Sequence, residues 1–75
     1  MMNIYEELFW NNIRLNIRYY RSKRKLTQER LAELSDLSYD YINEIESLTK
    51  NKTFSIITLL RISNSLNVNI IDLLK

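Results

Sequence analysis

The sequence contains no cysteine, glycine, proline or histidine among its 75 residues. Without cysteine the chain forms neither disulfides nor thiolate metal sites, and without histidine it lacks the commonest general base and metal ligand. Without glycine it has none of the glycine-rich phosphate loops of nucleotide enzymes. No apolar run approaches the roughly 18 residues of a membrane span, and the acidic start MMNIYEELFW is unlike a signal peptide. We therefore expect a cytoplasmic protein that has no membrane segment, metal or cofactor.

The length bounds the size of the core. The chain is long enough for one domain, residues 1–75, and not for two. A domain this small buries only about 60% of the surface of its unfolded chain, so its core alone gives marginal stability. Because disulfides are absent, we expect oligomerisation to add stability.

Charge lies in blocks, although the net charge is only +2. Residues 11–25 carry six basic side chains and no acidic one, residues 26–46 have a net charge of −5, and residues 47–75 have a net charge of +3. Basic clusters permit binding to nucleic acid without requiring it.

Catalysis by carboxylates alone is the one enzymatic possibility that the composition leaves open. The obvious pairs are Glu6–Glu7 and Glu29/Glu33. Solvated helix faces account for both pairs, and no nucleophile–base pair or metal spacing accompanies them. We therefore expect no enzymatic activity.

Apolar periodicity predicts one long first helix over residues 4–24. Residues 1–12 are expected to be the N-terminal extension of this helix. One apolar stripe is expected to face the core: Phe9, Trp10, Ile13, Ile17 and Tyr20. A second stripe lies nearly opposite: Ile4, Leu8, Leu15 and Tyr19. The basic flank between the two stripes carries Arg14, Arg18 and Arg21.

Four shorter helices follow. Thr27 is a good N-cap for the second helix, which faces Leu31 and Leu34 inward and ends near Ser35. Ser38 caps the third helix. After a polar loop over residues 47–54, the fourth helix starts near Ser55 and the fifth is capped by Asn69. The apolar residues expected on one side of the fourth helix are Ile56, Leu59, Leu60, Ile62 and Leu66.

The segment LTQERLAELSDLSYDYINEIE, residues 26–46, has the plan of a helix-turn-helix. In that plan the second helix of the motif enters the major groove of DNA. Helical spacing turns Tyr41, Ile42 and Ile45 toward the core. The residues on the other side are the candidates for contacting base edges: Tyr39, Asp40, Asn43 and Glu44.

Two of these four side chains are acidic, which opposes binding to phosphate. Asp40 lies in the first helical turn, where the helix dipole favours an anion. Glu44 either accepts a hydrogen bond from cytosine N4 or pairs with a nearby lysine or arginine. Affinity for phosphate would come from residues just past the helix, and parts of the basic run Arg14–Lys25 would help. The residues just past the helix are Lys50, Asn51 and Lys52.

The run LTQERLAELSDLS, with YI and EIE after it, resembles the Cro/repressor-type helix-turn-helix family, also called the xenobiotic-response-element family. The resemblance continues through LLRISNSLNVNIIDLL, residues 59–74, and covers roughly residues 13–74. It implies an all-α, compact, five-helix, lambda-repressor-like domain with the helix-turn-helix at helices 2 and 3. It also implies a transcriptional regulator that binds double-stranded DNA as a homodimer on a palindromic operator.

Small stand-alone proteins of this family resemble phage repressors and the controller proteins of restriction–modification systems. We accordingly expect no small-molecule ligand and no separate ligand-sensing domain. The alternative is a helical protein-interaction module, antitoxin-like or anti-regulator, that kept the fold without DNA binding. The acidic segment 26–46 motivates this alternative.

The resemblance also implies roles for single residues. Gln28 corresponds to a glutamine that reaches phosphate or a neighbouring base, while the helix N-termini at Thr27 and Ser38 offer N–H groups to phosphates. Tyr39, Asp40 and Glu44 correspond to variable base-reading positions. Arg21 and Glu46 correspond to a structural ion pair between helices 1 and 3. The chain departs from the family where glycine is frequent, at Lys25, Asp36, Leu48 and Asn67.

Two surfaces are candidates for the dimer interface. The resemblance favours the C-terminal region, with Val68, Ile70, Ile71 and Leu74. The other candidate is the second stripe of the first helix, residues Ile4, Leu8, Leu15 and Tyr19. Packing of the tail and the N-terminal extension within one chain would account equally for either set.

Overall fold

A computed structural model describes residues 2–75 as a bundle of five helices, with no β-strand among those residues. The helices are α1 (Ile4–Lys23), α2 (Gln28–Ser35), α3 (Tyr39–Glu46), α4 (Ile56–Leu66) and α5 (Ile70–Leu74). The compact all-α fold, the unbroken first helix and the helix-turn-helix at α2 and α3 agree with the sequence-based predictions. No helix in the described range is long and apolar enough to cross a membrane.

Each helix begins at a polar side chain that accepts a hydrogen bond from the first helical turn. The caps of α2, α3 and α4 are the hydroxyls of Thr27, Ser38 and Ser55, which accept from the N–H three residues further on. Asn3 caps α1 and Asn69 caps α5 through their side-chain carbonyls. Such caps satisfy N–H groups that lack a partner within the helix.

The first, second and fourth helices end in the same way, without glycine. The residues that end them have left-handed backbones, with φ of 58° at Lys25, 57° at Asp36 and 55° at Asn67. In each case the next N–H reaches back to a carbonyl five residues earlier, as in Leu26 to Arg21 at 3.0 Å. This is the Schellman arrangement, in which an apolar side chain follows the left-handed residue. Those apolar residues are Leu26, Leu37 and Val68, and all three pack on the core.

The core contains ten buried apolar side chains, drawn from all five helices: Ile13, Ile17, Leu31, Ala32, Ile42, Ile45, Leu59, Ile62, Leu66 and Leu73. The helix α2 packs against α3 and α4, while α1 packs against α3 and α5. The last helix is also held by hydrogen bonds, because Asn16 Nδ2 donates to the Leu73 carbonyl at 2.9 Å. This packing fixes α3 relative to the rest of the domain.

Four apolar side chains predicted to face inward are exposed instead: Phe9, Leu34, Ile56 and Leu60. A bundle this small covers only the centre of each apolar stripe, so residues at the stripe edges stay open to solvent. Phe9 and Ile56 line a groove of about 210 Å³, whose other walls include Trp10, Phe54 and Leu74. The predicted second stripe of α1 is exposed along its whole length.

Candidate nucleic-acid interface

The helices α2 and α3 are joined by a tight turn whose geometry depends on one residue. Asp36 adopts the left-handed conformation, and the Leu37 N–H donates to the Ala32 carbonyl at 3.0 Å. The turn leaves Thr27 and Ser38 exposed at the helix N-termini. Helix N-termini of this kind attract anions, because their first N–H groups have no intrahelical partner.

A hydrogen-bonded chain of four side chains ties α3 to α1 and α2. Arg21 donates two hydrogen bonds to Glu46, from Nε to Oε2 at 2.7 Å and from Nη2 to Oε1 at 2.9 Å. Gln28 Nε2 donates to the same Glu46 Oε1 at 3.1 Å. Asn43 Nδ2 then donates to Gln28 Oε1 at 3.1 Å. The conformation of Asn43, on the outer side of α3, is therefore set by contacts that reach back to α1.

The charged groups of the Arg21–Glu46 ion pair have several hydrogen-bond partners. The Glu46 side chain is 3% exposed and that of Arg21 is 18% exposed. The remaining Arg21 nitrogen, Nη1, donates to the Leu26 carbonyl at 2.9 Å. A buried charge pair is tolerated when both groups find such partners. The acid of Glu46 is thus neutralised inside the domain and adds little negative charge to the surface of α3.

The outward side of α3 presents Tyr39, Asp40 and Asn43, all of which are exposed. Asn43 keeps its side-chain oxygen free of partners within residues 2–75, so the amide has an acceptor to offer. Gln28 has both ends of its amide engaged within the chain but retains one Nε2 hydrogen for an outside partner. Asn43 and Gln28 therefore present one acceptor and one donor side by side to an outside partner.

Glu44 lies on the opposite edge of α3, beside the loop. Its Oε2 is 3.8 Å from Lys52 Nζ, and Lys52 also lies over the ring of Tyr41, 5.7 Å from the ring centre. Of the two possibilities left open for Glu44, the structure therefore shows a lysine partner. Lys50 and Asn51 are exposed, and neither side chain has a partner among residues 2–75.

The loop over residues 47–55 departs from the expected position of its left-handed residue. Leu48 stands where the family often has glycine, yet Asn51, with φ of 51°, is the loop residue with positive φ. Asparagine tolerates this conformation better than leucine does. Ser47 and Thr49 close the first part of the loop through a hydroxyl–hydroxyl contact of 3.1 Å.

Arg18 was not among the predicted DNA-contacting residues, although it belongs to the basic run. It is exposed and lines an open depression of about 360 Å³ together with Gln28, Asn43 and Thr49. No ion pair of Arg18 is present within residues 2–75. The signal in the sequence was its spacing from Arg21, because residues three apart share one flank of a helix.

Arg14, at the start of the same basic run, is not available to phosphate. It is fully buried, and its three guanidinium nitrogens have no hydrogen-bond partner among the described residues. Burial lowers the pKa of Arg14 from its ordinary value, because desolvation disfavours the cation. Parts of the run from Arg14 to Lys25 were expected to help to bind phosphate, and the buried Arg14 is not one of those parts.

The predicted C-terminal interface is only partly on the surface. Ile71 and Leu74 are exposed, whereas Val68 and Ile70 are partly buried and pack on the core. Val68 turns inward because it follows the left-handed residue that ends α4. Of this exposed pair, Leu74 lines the groove that contains Phe9 and Ile56.

A helix-turn-helix braced by a buried ion pair, with polar side chains on its second helix and basic residues around it, defines the class of DNA-binding helix-turn-helix domains. A model of the helix-turn-helix family matches residues 17–73. The control protein C.SmaI of Serratia marcescens is 41% identical over 59 residues, which make up 79% of this chain and 68% of that protein.

Two solved structures share the fold. The restriction–modification controller protein C.AhdI from Aeromonas hydrophila superimposes with a TM-score of 0.78 at 25% identity, over 85% of this chain and 94% of that one. The clp gene regulator ClgR from C. glutamicum gives a TM-score of 0.78 at 26% identity, over 88% and 83% of the two chains. The chain belongs to the helix-turn-helix family. It is a DNA-binding transcriptional regulator of the controller type.

Proposed function

We propose that the protein is a cytoplasmic, homodimeric regulator that binds a two-fold-symmetric operator with α3 of each copy in the major groove. The observation that carries this proposal is the hydrogen-bonded chain from Arg21 to Asn43, which holds the outer side of α3 in one orientation. A reading helix needs such a fixed orientation because base-edge contacts depend on geometry. The base-contacting residues would be Tyr39, Asp40, Asn43 and Glu44.

Phosphate contacts would flank this reading face on both sides. The N-termini of α2 and α3, at Thr27 and Ser38, and the free hydrogen of Gln28 serve one side. Lys50, Asn51 and Lys52 in the loop after α3 serve the other. These contacts supply affinity without sequence preference, as phosphate contacts do in general.

The dimer would form through an apolar surface made by the last helix and the groove beside it. Its members are Ile71 and Leu74 of α5, extended by the groove residues Phe9 and Ile56, with Val68 and Ile70 supporting them from below. Paired half-sites lie about 34 Å apart on DNA, one helical turn. The domain measures 32 × 24 × 21 Å, so two copies side by side can present their α3 helices at that spacing.

Regulation would then follow protein concentration and operator occupancy. The relatives named as control and controller proteins support this role. The alternative, a protein-interaction module without DNA binding, was motivated by the acidic charge of α3. That motive is weaker in the structure, because Glu46 and Glu44 both have basic partners.

The test is selection of bound duplexes from a randomised library at two salt concentrations. We expect enrichment of a palindrome with half-sites about 10 base pairs apart, and binding that weakens steeply with salt as counterions are released. No enrichment, with no binding even at low salt, would refute DNA recognition and direct attention to a protein partner.

A further inference from the structure

The helix α3 carries three acidic side chains, and the domain deals with each of them differently. Glu46 is buried against Arg21. Asp40 lies in the first turn, where the helix dipole stabilises it. Glu44 lies in the last turn of the helix, where the dipole disfavours an anion. An unpaired carboxylate at that position would be repelled by the phosphates on either side of a DNA groove.

Glu44 has its partner in the loop that follows the helix. Lys52 Nζ lies 3.8 Å from Glu44 Oε2 and 5.7 Å from the centre of the Tyr41 ring. A lysine placed over an aromatic face gains a cation–π attraction. Because Tyr41 packs on the core, this attraction holds Lys52 near one position on α3.

Both members of the pair remain open to outside contacts. The side chains of Lys52 and Glu44 are 42% and 37% exposed. The ammonium group has three N–H donors, so it can bind Glu44 and a phosphate oxygen at the same time. Glu44 Oε1 has no partner within residues 2–75 and is left free to accept a hydrogen bond.

We propose that Lys52 is a specificity-determining residue that acts through Glu44, neutralising and orienting it so that its free oxygen accepts a hydrogen bond from the exocyclic amine of a cytosine. This inference rests on the proposed function and deepens it. The pair lets an acidic reading helix enter the groove. It also predicts that affinity and base preference are coupled between residues 44 and 52.

Lys50 provides the matched control within the same loop. It is exposed, two residues from Lys52, and has no acidic partner among residues 2–75. A lysine of this kind contributes only a phosphate contact. Its removal should weaken binding to every sequence and reduce the salt slope by about one.

The experiment is a double-mutant cycle measured on the duplex that the wild-type protein enriches from the randomised library. We expect Lys52→Met to weaken binding about tenfold more in the wild-type background than in the Glu44→Gln background, which is the coupling of a close charge pair. Lys50→Met should weaken binding equally in both backgrounds. Because the substituted side chains are exposed, circular dichroism should show unchanged helix content in all variants.

A second selection separates specificity from affinity. Glu44→Gln and Lys52→Met should each relax the preference for cytosine at the same pair of symmetry-related positions, while Lys50→Met should leave the base preferences intact. Equal losses for Lys52→Met in the two backgrounds, with unchanged base preference, would overturn this inference and leave the proposed function standing. If the wild-type protein enriches no duplex at all, the proposed function fails, and this inference fails with it.

Discussion

At the scale of single residues, Arg14 carries a cost that nothing in the described structure offsets. A fully buried cation with unsatisfied N–H donors loses its hydration without gaining hydrogen bonds. Its lowered pKa has the same cause. The folded state holds this proton less tightly than the unfolded chain does, so the charged group destabilises the fold at neutral pH. That penalty would fall only at strongly alkaline pH, where the folded-state group loses its proton.

We therefore predict that Arg14→Met stabilises the domain by about 1–2 kcal/mol, because an apolar chain of similar length replaces a buried charge. The exposed Arg18→Met is the matched control on the same helix flank and should change stability by less than about 0.5 kcal/mol. Urea denaturation followed by circular dichroism measures both. A destabilised Arg14→Met variant would show that the guanidinium has partners in solution.

Lys25 is a second residue that costs stability, because its backbone conformation is unfavourable for lysine. It ends α1 with φ of 58°, a conformation that disfavours any side chain with a Cβ. We predict that Lys25→Gly stabilises the domain by about 0.5–1 kcal/mol. Asn67→Gly, at the equivalent position after α4, should gain less because asparagine already tolerates this conformation. The shift in denaturation midpoint compares the two, and an equal or larger gain at Asn67 would contradict this account.

At the scale of helices, the position of α3 depends on the pair Arg21–Glu46. We predict that Glu46→Gln destabilises the domain by about 2 kcal/mol, because it leaves the largely buried guanidinium of Arg21 without an anion. The same change should weaken DNA binding further, because Gln28 loses its charged acceptor and Asn43, which donates to Gln28, is then held less firmly. Glu33→Gln, which affects only the exposed pair with Arg30, is the control and should be nearly neutral for both properties. Binding that persists undiminished in a folded Glu46→Gln protein would show that this chain of bonds does not position α3.

The helices themselves could be predicted from the sequence because their signals are local. Thr27, Ser38 and Ser55 cap their helices through contacts three residues away, and Asp36 and Asn67 end theirs within one turn. The contacts that shape the site are not local. Gln28 and Asn43 are 15 residues apart, and no periodicity reports such a contact. The burial of Arg14 could not be predicted from the sequence either, because an arginine on a helix flank is usually exposed.

At the scale of the whole molecule, the question is which apolar surface joins two copies. The surface around Ile71 and Leu74 continues into the groove beside Phe9, whereas the second stripe of α1 faces away from the bundle. We predict that Ile71→Asp keeps its helix content but sediments as a monomer, because a charge would be buried in the interface.

Leu15→Asp, on the exposed second stripe, is the control for this prediction. Ile71 is 57% exposed and Leu15 is 48% exposed, so both substitutions leave the monomer folded. Sedimentation velocity should show a dimer for Leu15→Asp and a monomer for Ile71→Asp. The reverse pattern would place the interface on α1, and the operator spacing would then need a different arrangement of the two α3 helices.

The central claim is that α3, held by its buried contacts, reads bases directly. The most direct measurement is the library selection repeated with Asn43→Ala beside the wild-type protein. We predict that the variant enriches the same palindrome but loses its preference at one pair of symmetry-related positions, at a cost of about 1–3 kcal/mol for the preferred base. Identical base preferences at every position for both proteins would contradict the claim that Asn43 and the helix that carries it contact the bases.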